Sequence, residues 1–494
     1  MTTPLLFSFL ILLTLAWGAF AFGAVYPWAY TPILWASAAI GAFGLIAPAA
    51  RPRPPINWRL ACGLALVAVA AIVQLVPLAP LTIASLSPAT DRFLRQYDLA
   101  YALGTAPPAG LAAGAASYSH PLSIDPAGTW LGLACLAAFG LLLLGTARGL
   151  GRRSVRTLAG GLAVIGLLLA MIGIIQTGLW GGSGASGKIY GFWTPIFGTS
   201  PFGPFVNHNH FAGWMLLALP VTIGWFCALV ARGMRGVKPA FRDRVVWFSS
   251  RAASQVILVG LAMLVMGLSL VLTLSRSGIT CFSAALAISA WFVVRRQSVR
   301  SRRHAILAYL VVLATLSLGW AGLDAVVQRF AQAGADLSGR VAAWADTWRI
   351  AREFPWTGTG LNTYGTAMLL YQTADVSGHL MEAHNDYVQV AAEGGVLLGV
   401  PALVALGLLA REIRRRFRER QDDQTTYWVR VGATTGLVAI ALQEIVEFSL
   451  QIPGIAALFA VVAAIAVHRP EPFRPADATR DVQAGARERS GRHA

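Results

Sequence analysis

One pattern recurs along the chain and leaves few options: unbroken apolar runs of about 17 to 22 residues, such as Gln255–Thr273 and Ala305–Gly322, joined by short basic segments. Wound as a helix, such a run crosses about 30 Å of hydrocarbon. Lipid offers the backbone no hydrogen-bond partner, so only helices and closed barrels are stable within it. A barrel would be written in segments of about ten alternating residues, and these runs do not alternate. With 56% hydrophobic and only 12% charged residues, the chain has about half the charge of a soluble domain. The expectation is an all-α polytopic membrane protein of about twelve transmembrane helices. It forms a single membrane domain over 1–468, followed by a polar, disordered cytoplasmic tail, 469–494.

The expected spans are 5–24, 31–49, 60–80, 127–147, 158–178, 209–231, 254–274, 278–294, 305–322, 391–410, 431–447 and 453–468. With the N-terminus inside, the inside segments are 51–59, 148–157, 232–253, 295–304, 411–430 and 469–494. They hold 31 of the 39 Lys and Arg residues, and the outside segments hold the other eight. That bias over short loops orients the chain with both termini cytoplasmic. No basic stretch precedes the first apolar run, which therefore reads as a retained helix rather than a signal peptide. The net charge of +17 is spread through these short clusters rather than gathered in an aromatic-studded basic domain, so no nucleic-acid partner is expected.

Several chemistries lack their residues. Cys62, Cys135, Cys227 and Cys281 all fall inside apolar runs, with no CxxC or Cys/His cluster. Neither a disulfide framework nor a zinc site is expected. There is no GxxxxGK[ST], no GxGxxG after a strand and no paired acid in a loop to hold a metal–nucleotide. No cofactor and no metal are expected.

Three outside loops break the apolar pattern: 81–126, 179–208, and the large loop 323–390 between spans nine and ten. In the large loop, residues 338–355 read as a helix with Ser338 as N-cap and Pro355 as its stop. Arg340, Trp344 and Trp348 share one face of it. Gly358-Thr359-Gly360 then forces a turn, and a second helix starts near His384 and runs into span ten through Glu393-Gly394-Gly395.

The candidate site residues cluster at this outer side. Arg276, in Leu274-Ser275-Arg276-Ser277-Gly278, emerges between two spans with almost no loop. A charge at that depth either has a functional partner or snorkels to headgroups. Arg340, at the start of the loop helix, combines a guanidinium with the helix N-terminus and can grip a phosphate. Arg349 and Arg352 on the same helix read as solvated or headgroup-facing. His384, in Met381-Glu382-Ala383-His384-Asn385-Asp386-Tyr387, suits proton transfer near neutral pH or the holding of a phosphate oxygen. Asn207-His208-Asn209-His210 stands at the mouth of span six, as polar helix end or substrate contact. His208 and His210 diverge at i, i+2 and make poor zinc ligands. Glu444 and Glu447, near the end of span eleven, are either counter-ions for these arginines or water-facing.

Taken together, Ser275-Arg276-Ser277-Gly278, Ser338-Gly339-Arg340 with Trp344, Pro355-Trp356-Thr357-Gly358-Thr359-Gly360, His384-Asn385-Asp386-Tyr387 and Glu393-Gly394-Gly395 with Gly399 resemble the O-antigen ligase and Wzy-type polymerase family. Phe205–Gly213 and Leu122-Ser123-Ile124-Asp125-Pro126 also look like its members, and the likeness spans about 120–465. The resemblance implies a GT-C-like membrane glycosyltransferase with a large periplasmic loop over its active site in a bacterial inner membrane. It implies an undecaprenyl-diphosphate-linked glycan as donor, with lipid A core, a second glycan or a protein as acceptor. By the same resemblance Arg276 and Arg340 hold the diphosphate and His384 lies at the reaction centre. Asn207, His208, Asn209, His210, Trp344, Asn385 and Lys188 are expected to contact substrate. Many members carry a further basic residue ahead of the span-six motif; here Gly191-Phe192-Trp193-Thr194-Pro195 stands there, with only Lys188 nearby.

Two other readings compete. A transporter or flippase for lipid-linked glycans would show two related halves and polar groups at mid-membrane. An assembly protein without catalysis would not need Arg276, Arg340 and His384 to converge. The orientation can be checked directly: reporter fusions at Arg153, Arg300 and Arg416 should read cytoplasmic, and those at Gly110 and Gly365 periplasmic. A periplasmic Arg300 would reverse the assignment.

Overall fold

The computed structural model describes residues 3–46, 54–105, 118–180, 187–196, 200–233, 247, 249–296, 333–373, 378–419 and 423–469. Among these residues there is no strand, only three isolated bridges. The chain opens with α1 (Thr3–Phe20), α2 (Pro27–Ile46) and α3 (Trp58–Gln74). Three short helices fill the first loop: α4 (Pro80–Leu86), α5 (Pro88–Tyr97) and α6 (Leu99–Thr105). Then come α7 (Pro126–Gly149), α8 (Arg152–Trp180), α9 (His208–Gly233), α10 (Arg251–Leu272) and α11 (Arg276–Arg296). The large loop carries α12 (Ala333–Glu353) and α13 (Tyr364–Tyr371), and the chain closes with α14 (Asp386–Arg418), α15 (Gln424–Gln443) and α16 (Pro453–Val467).

A helix stands at each expected span except 305–322, which lies outside the described residues. Six of them, α2, α7, α8, α9, α10 and α14, are long and apolar enough to cross a membrane, and α1, α3, α11 and α16 add shorter apolar stretches. Their outward faces remain apolar: Trp35, Ile46, Trp58 and Leu403 are each 67% or more exposed. So much exposed apolar surface needs a lipid environment. The chain is an integral membrane protein.

Helix α9 is the centre of the bundle, buried along the whole stretch Phe211–Val221. Its main neighbour is α15, and there backbone meets backbone: a Cβ on Gly432 would collide with the Pro220 carbonyl, and one on Gly224 with that of Trp428. In lipid, where helices gain nothing from hiding apolar surface, such close contact of small residues supplies the packing energy. Around this pair α8 packs on α1 and α10, α3 on α14, and α16 on α7 and α15.

The two ends of the bundle differ in chemistry. At one end, the last turns of α14 pair Glu412 with Arg415 and Arg416, and Arg416 also with Glu419. Arg430, fully buried, donates to the carbonyls of Ala466 and His468. These are cations satisfying the orphan carbonyls at the end of α16. Roughly 45 Å away along α14, on a rise of about 1.5 Å per residue, its first turn lies among histidines and carboxylates.

That second end is shaped by a knot between two glycine motifs. Thr359 N–H donates to the Ala392 carbonyl at 3.1 Å and Gly360 N–H to that of Glu393 at 2.9 Å. In return, Val396 and Leu397 donate to the carbonyls of Pro355 and Trp356, both at 2.9 Å. Gly358 has φ +65° and a Cβ there would strike the Glu393 carbonyl; Gly395, at φ +52°, breaks α14 at the same crossing. Gln74, fully buried on α3, locks the knot by donating to the Thr357 and Glu393 carbonyls and accepting from Leu361 N–H. The segment Leu122–Pro126 joins from the other side: Ile124 N–H bonds the Thr359 carbonyl, and Asp125 caps α7. Its family-like motif is thus structural.

Helices α4 to α6 were not expected. At seven to ten residues they are too short to show periodicity or to hold by propensity alone. Proline starts α4 and α5, and the buried Tyr101 hydroxyl of α6 donates to Asp91 of α5 at 2.6 Å. Because Gly358 needs both its left-handed backbone and the absence of a Cβ, Gly358→Ala should cost about 1–3 kcal/mol. It should appear as a lowered melting temperature in detergent, with Gly399→Ala, which meets no neighbour, near wild type.

Candidate active site

Arg340 is not where the sequence put it. Helix α12 is already formed at Ala333, the first residue described there, so Ser338 lies inside the helix rather than capping it, and Arg340 stands about two turns further along. The residues ahead of Ser338 extend the helix upstream, and the helix-terminus argument for an anion at Arg340 falls. What holds Arg340 is a carboxylate. Its Nη2 donates to Glu447 Oε1 at 2.6 Å, and its Nη1 to the Val446 carbonyl at 2.5 Å. Glu447 is fully buried in the turn that follows α15. Of the two roles open to Glu447, counter-ion to an arginine is the one the fold adopts. A guanidinium has five N–H donors, so three remain on Arg340.

The other oxygen of Glu447, Oε2, lies 3.6 Å from His384 Nδ1, within ion-pair reach and longer than a hydrogen bond. His384 immediately precedes the cap of α14. Its backbone is left-handed, at φ +51°, a conformation costly for a residue with a side chain and kept only where the surroundings impose it. Trp344 Nε1 holds the preceding Ala383 carbonyl at 3.0 Å, and the Ala383 N–H is held by Gln389 at 2.8 Å. Asn385 follows as N-cap, its side chain accepting from Tyr387 and Val388. Trp344 and Asn385, expected to contact substrate, are thus seen supporting His384.

Phe448 stands between two imidazoles, 4.7 Å from the His384 ring and 4.8 Å from that of His210, edge-on to both. His210 is buried, with neither ring nitrogen hydrogen-bonded. The motif at the start of α9 therefore divides its work. His208 turns away to Ser200, Nδ1 to Oγ 2.6 Å. Asn207 accepts from Asn209 N–H, and the Asn209 carbonyl from Gln443. His210 faces the cluster. Lys188 is exposed on a turn tied to α8 through Gln176 and, at the neighbouring Tyr190, to α1.

Arg276 opens α11 after a tight turn in which Leu274 has φ +54°. The same turn packs on the start of α9, where a Cβ on Gly278 would meet Ala212. One turn further, Cys281 lies within electrostatic reach of Glu444 and Glu447. Arg276 thus enters at the same end as Arg340, His384 and His210. Arg349 and Arg352 stay on the outside of α12, over the Tyr371 and Trp348 rings.

Behind His384 runs a chain of carboxylates bridged by amides. Gln389 Nε2 reaches Glu382 at 2.7 Å, Gln451 at 3.0 Å and Glu393 at 3.2 Å; Gln451 reaches Asp386 at 2.7 Å, and the Asp386 carboxyl meets that of Glu444. Glu393 also accepts from the N–H groups of Asn362 and Tyr364. Among the described residues no group of three His, Cys, Asp or Glu converges as a metal site. Sequence reasoning missed Gln74, Gln389 and Phe448; a lone glutamine in an otherwise apolar span was the available signal for Gln74.

Residues 261–403 match the O-antigen ligase family. The matched segment contains Arg276, Arg340, His384 and both glycine motifs. His210 and Glu447 lie on either side of it and reach the same place through the fold. No curated protein matches the chain. The match supports a glycan-transfer role in O-antigen or polysaccharide assembly.

Glu382, in the loop before α14, has a resolvable titration. Burial, reinforced by the nearby Glu393 and Asp386 and only partly offset by its Gln389 bond, pushes its pKa up to about 8. Part of the side chain keeps some exposure, but protein surrounds the carboxyl. An acid with a raised folded pKa binds more protons folded than unfolded, so it lowers stability as pH rises from its ordinary value toward 8. Glu382→Gln should therefore flatten the loss of melting temperature between about pH 5 and 8. An unchanged slope would show that Glu382 is ionised throughout.

Proposed function

We propose that the protein transfers a glycan from an undecaprenyl-diphosphate-linked donor to an acceptor hydroxyl at the periplasmic face of a bacterial inner membrane. It does so as a metal-independent, GT-C-like glycosyltransferase of about twelve spans with both termini cytoplasmic. The observation that carries this reading is the meeting of Arg340 and His384, from separate parts of the large loop, on the buried carboxylate of Glu447, with His210 beside them and Arg276 entering at the same end. A polar site at one end of an apolar bundle suits a lipid-anchored donor better than it suits a transporter, whose polar groups belong at mid-membrane.

The chemistry follows from the donor. A diphosphate is a good leaving group, so the enzyme has to screen its growing charge, orient the sugar C1 and accept a proton. Arg276 and the unused donors of Arg340 screen the charge in a water-poor site, where such contacts are strongest. The loop and the lipid surface hold donor and acceptor together. His384 accepts the hydroxyl proton as the new C–O bond forms. The residues leave the acceptor class open, whether lipid A core, a second lipid-linked glycan or a protein hydroxyl.

The test uses purified protein in lipid nanodiscs, a defined lipid-linked donor, each acceptor class in turn and chelator throughout, with products identified by mass. Arg276→Ala and Arg340→Ala should each lower transfer about 100-fold or more. Lysine should replace either poorly, since a point charge does not reproduce a planar fork. His384→Ala should lose transfer and retain donor binding, and Arg349→Ala should stay near wild type. Arg349→Ala as damaging as Arg340→Ala, or a requirement for Mg²⁺, would overturn the assignment.

A further inference from the structure

The two oxygens of Glu447 face different partners. Oε1 is bonded to Arg340 and Oε2 looks toward His384 Nδ1 at 3.6 Å. Neither Oε2 nor Nδ1 has a hydrogen-bond partner, and both are buried. A fully buried carboxylate keeps its charge only beside a compensating one, and Arg340 provides it. Oε2 is then left as an acceptor with the His384 ring within reach. The His384 side chain is 30% exposed, and since Nδ1 is buried, that exposure falls on the rest of the ring. The imidazole therefore presents one nitrogen inward to a carboxylate and the other outward, the arrangement of an oriented general base.

We propose that Glu447 is the positioning residue of the transfer site: it holds His384 with the Nδ1 proton inward and the Nε2 lone pair toward the acceptor hydroxyl. This deepens, and rests on, the reading of His384 as the base. In the step itself the acceptor O–H proton passes to Nε2, and the oxygen's electron pair forms the bond to sugar C1. The bond from C1 to the phosphate oxygen breaks, and its pair leaves with the diphosphate. The imidazolium so formed carries a positive charge that Glu447 offsets. The same carboxylate anchors Arg340, so one side chain sets the spacing between the base and the phosphate clamp.

The test has one arm independent of activity. Histidines labelled with ¹⁵N in the full-length protein in nanodiscs report the tautomer, with His384→Gln identifying the signal. Around His384 stand Glu447, with Arg340 from α12 on its other oxygen, and His210 from α9 across the Phe448 ring; in Glu447→Gln Arg340 and His210 remain. Wild type should hold the Nδ1–H tautomer. In Glu447→Gln the tautomers should mix. Transfer should fall at least 10-fold in kcat, and Glu447→Asp should restore part of it. An unchanged tautomer in a folded Glu447→Gln protein would overturn the proposal, whatever the rates. A changed tautomer in a protein that transfers nothing from a lipid diphosphate would instead refute the transferase reading and leave the Glu447–His384 pairing standing.

Discussion

Hydrocarbon gives a backbone amide nothing to bond to, and the whole arrangement follows from that. Within the bundle each segment must bond to itself, so it is helical, and helices meet through glycines where backbones touch. Irregular chain is confined to the ends, and even there it must find partners. The long stretch ahead of α14 meets this demand through the paired segments 355–360 and 392–397, with Gln74 of α3 donating to two of their carbonyls. The knot fixes where α14 begins, and with it the position of His384.

The buried charges at the two ends answer the same constraint differently. At the basic end, Arg415, Arg416 and Arg430 are tied to carboxylates and to the last carbonyls of α16. This is the chemistry of a closed helix end. At the other end, one arginine meets one carboxylate, and nitrogens and oxygens nearby stay open. Both ring nitrogens of His210, His384 Nδ1 and Glu447 Oε2 lack hydrogen bonds. Leaving buried polar atoms unmatched costs stability; the basic end has some too, His468 Nε2 and Ser154 Oγ among them, and what sets this cluster apart is that an arginine and a histidine converge on one buried carboxylate. The left-handed backbone at His384 points the same way.

The family-like motifs separate into two kinds once their contacts are seen. Gly358, Gly360, Glu393, Gly395, Asn385 and the 122–126 segment build and brace the scaffold. Arg276, Arg340, His384 and His210 come together at one end of it. Trp344 belongs with the braces, since its indole holds the peptide that carries His384. A motif in sequence does not distinguish the two kinds, because a glycine needed for a close crossing and a histidine that joins a cluster look alike as residues at a given spacing.

What the sequence determined alone was whatever depends on local pattern. Apolar run length placed the helices, since crossing lipid demands a set number of residues; glycines marked the turn at 358–360; and the near-absence of a loop put Arg276 at the start of an apolar helix. The start of α12 was misplaced because Ser338 is a good cap and also tolerable inside a helix, and only the upstream chain decides between them. The short helices α4 to α6 gave no signal, because they hold by contacts such as Tyr101 with Asp91 rather than by propensity. The partner of Arg340 was decided by tertiary structure alone. Glu447 lies 107 residues away, and a carboxylate at the end of one apolar helix looks the same whether it faces water or an arginine. Charge pairing across such a distance depends on which helix ends the fold brings together, and that is set by the packing of α9, α12, α14 and α15 rather than by any one of them.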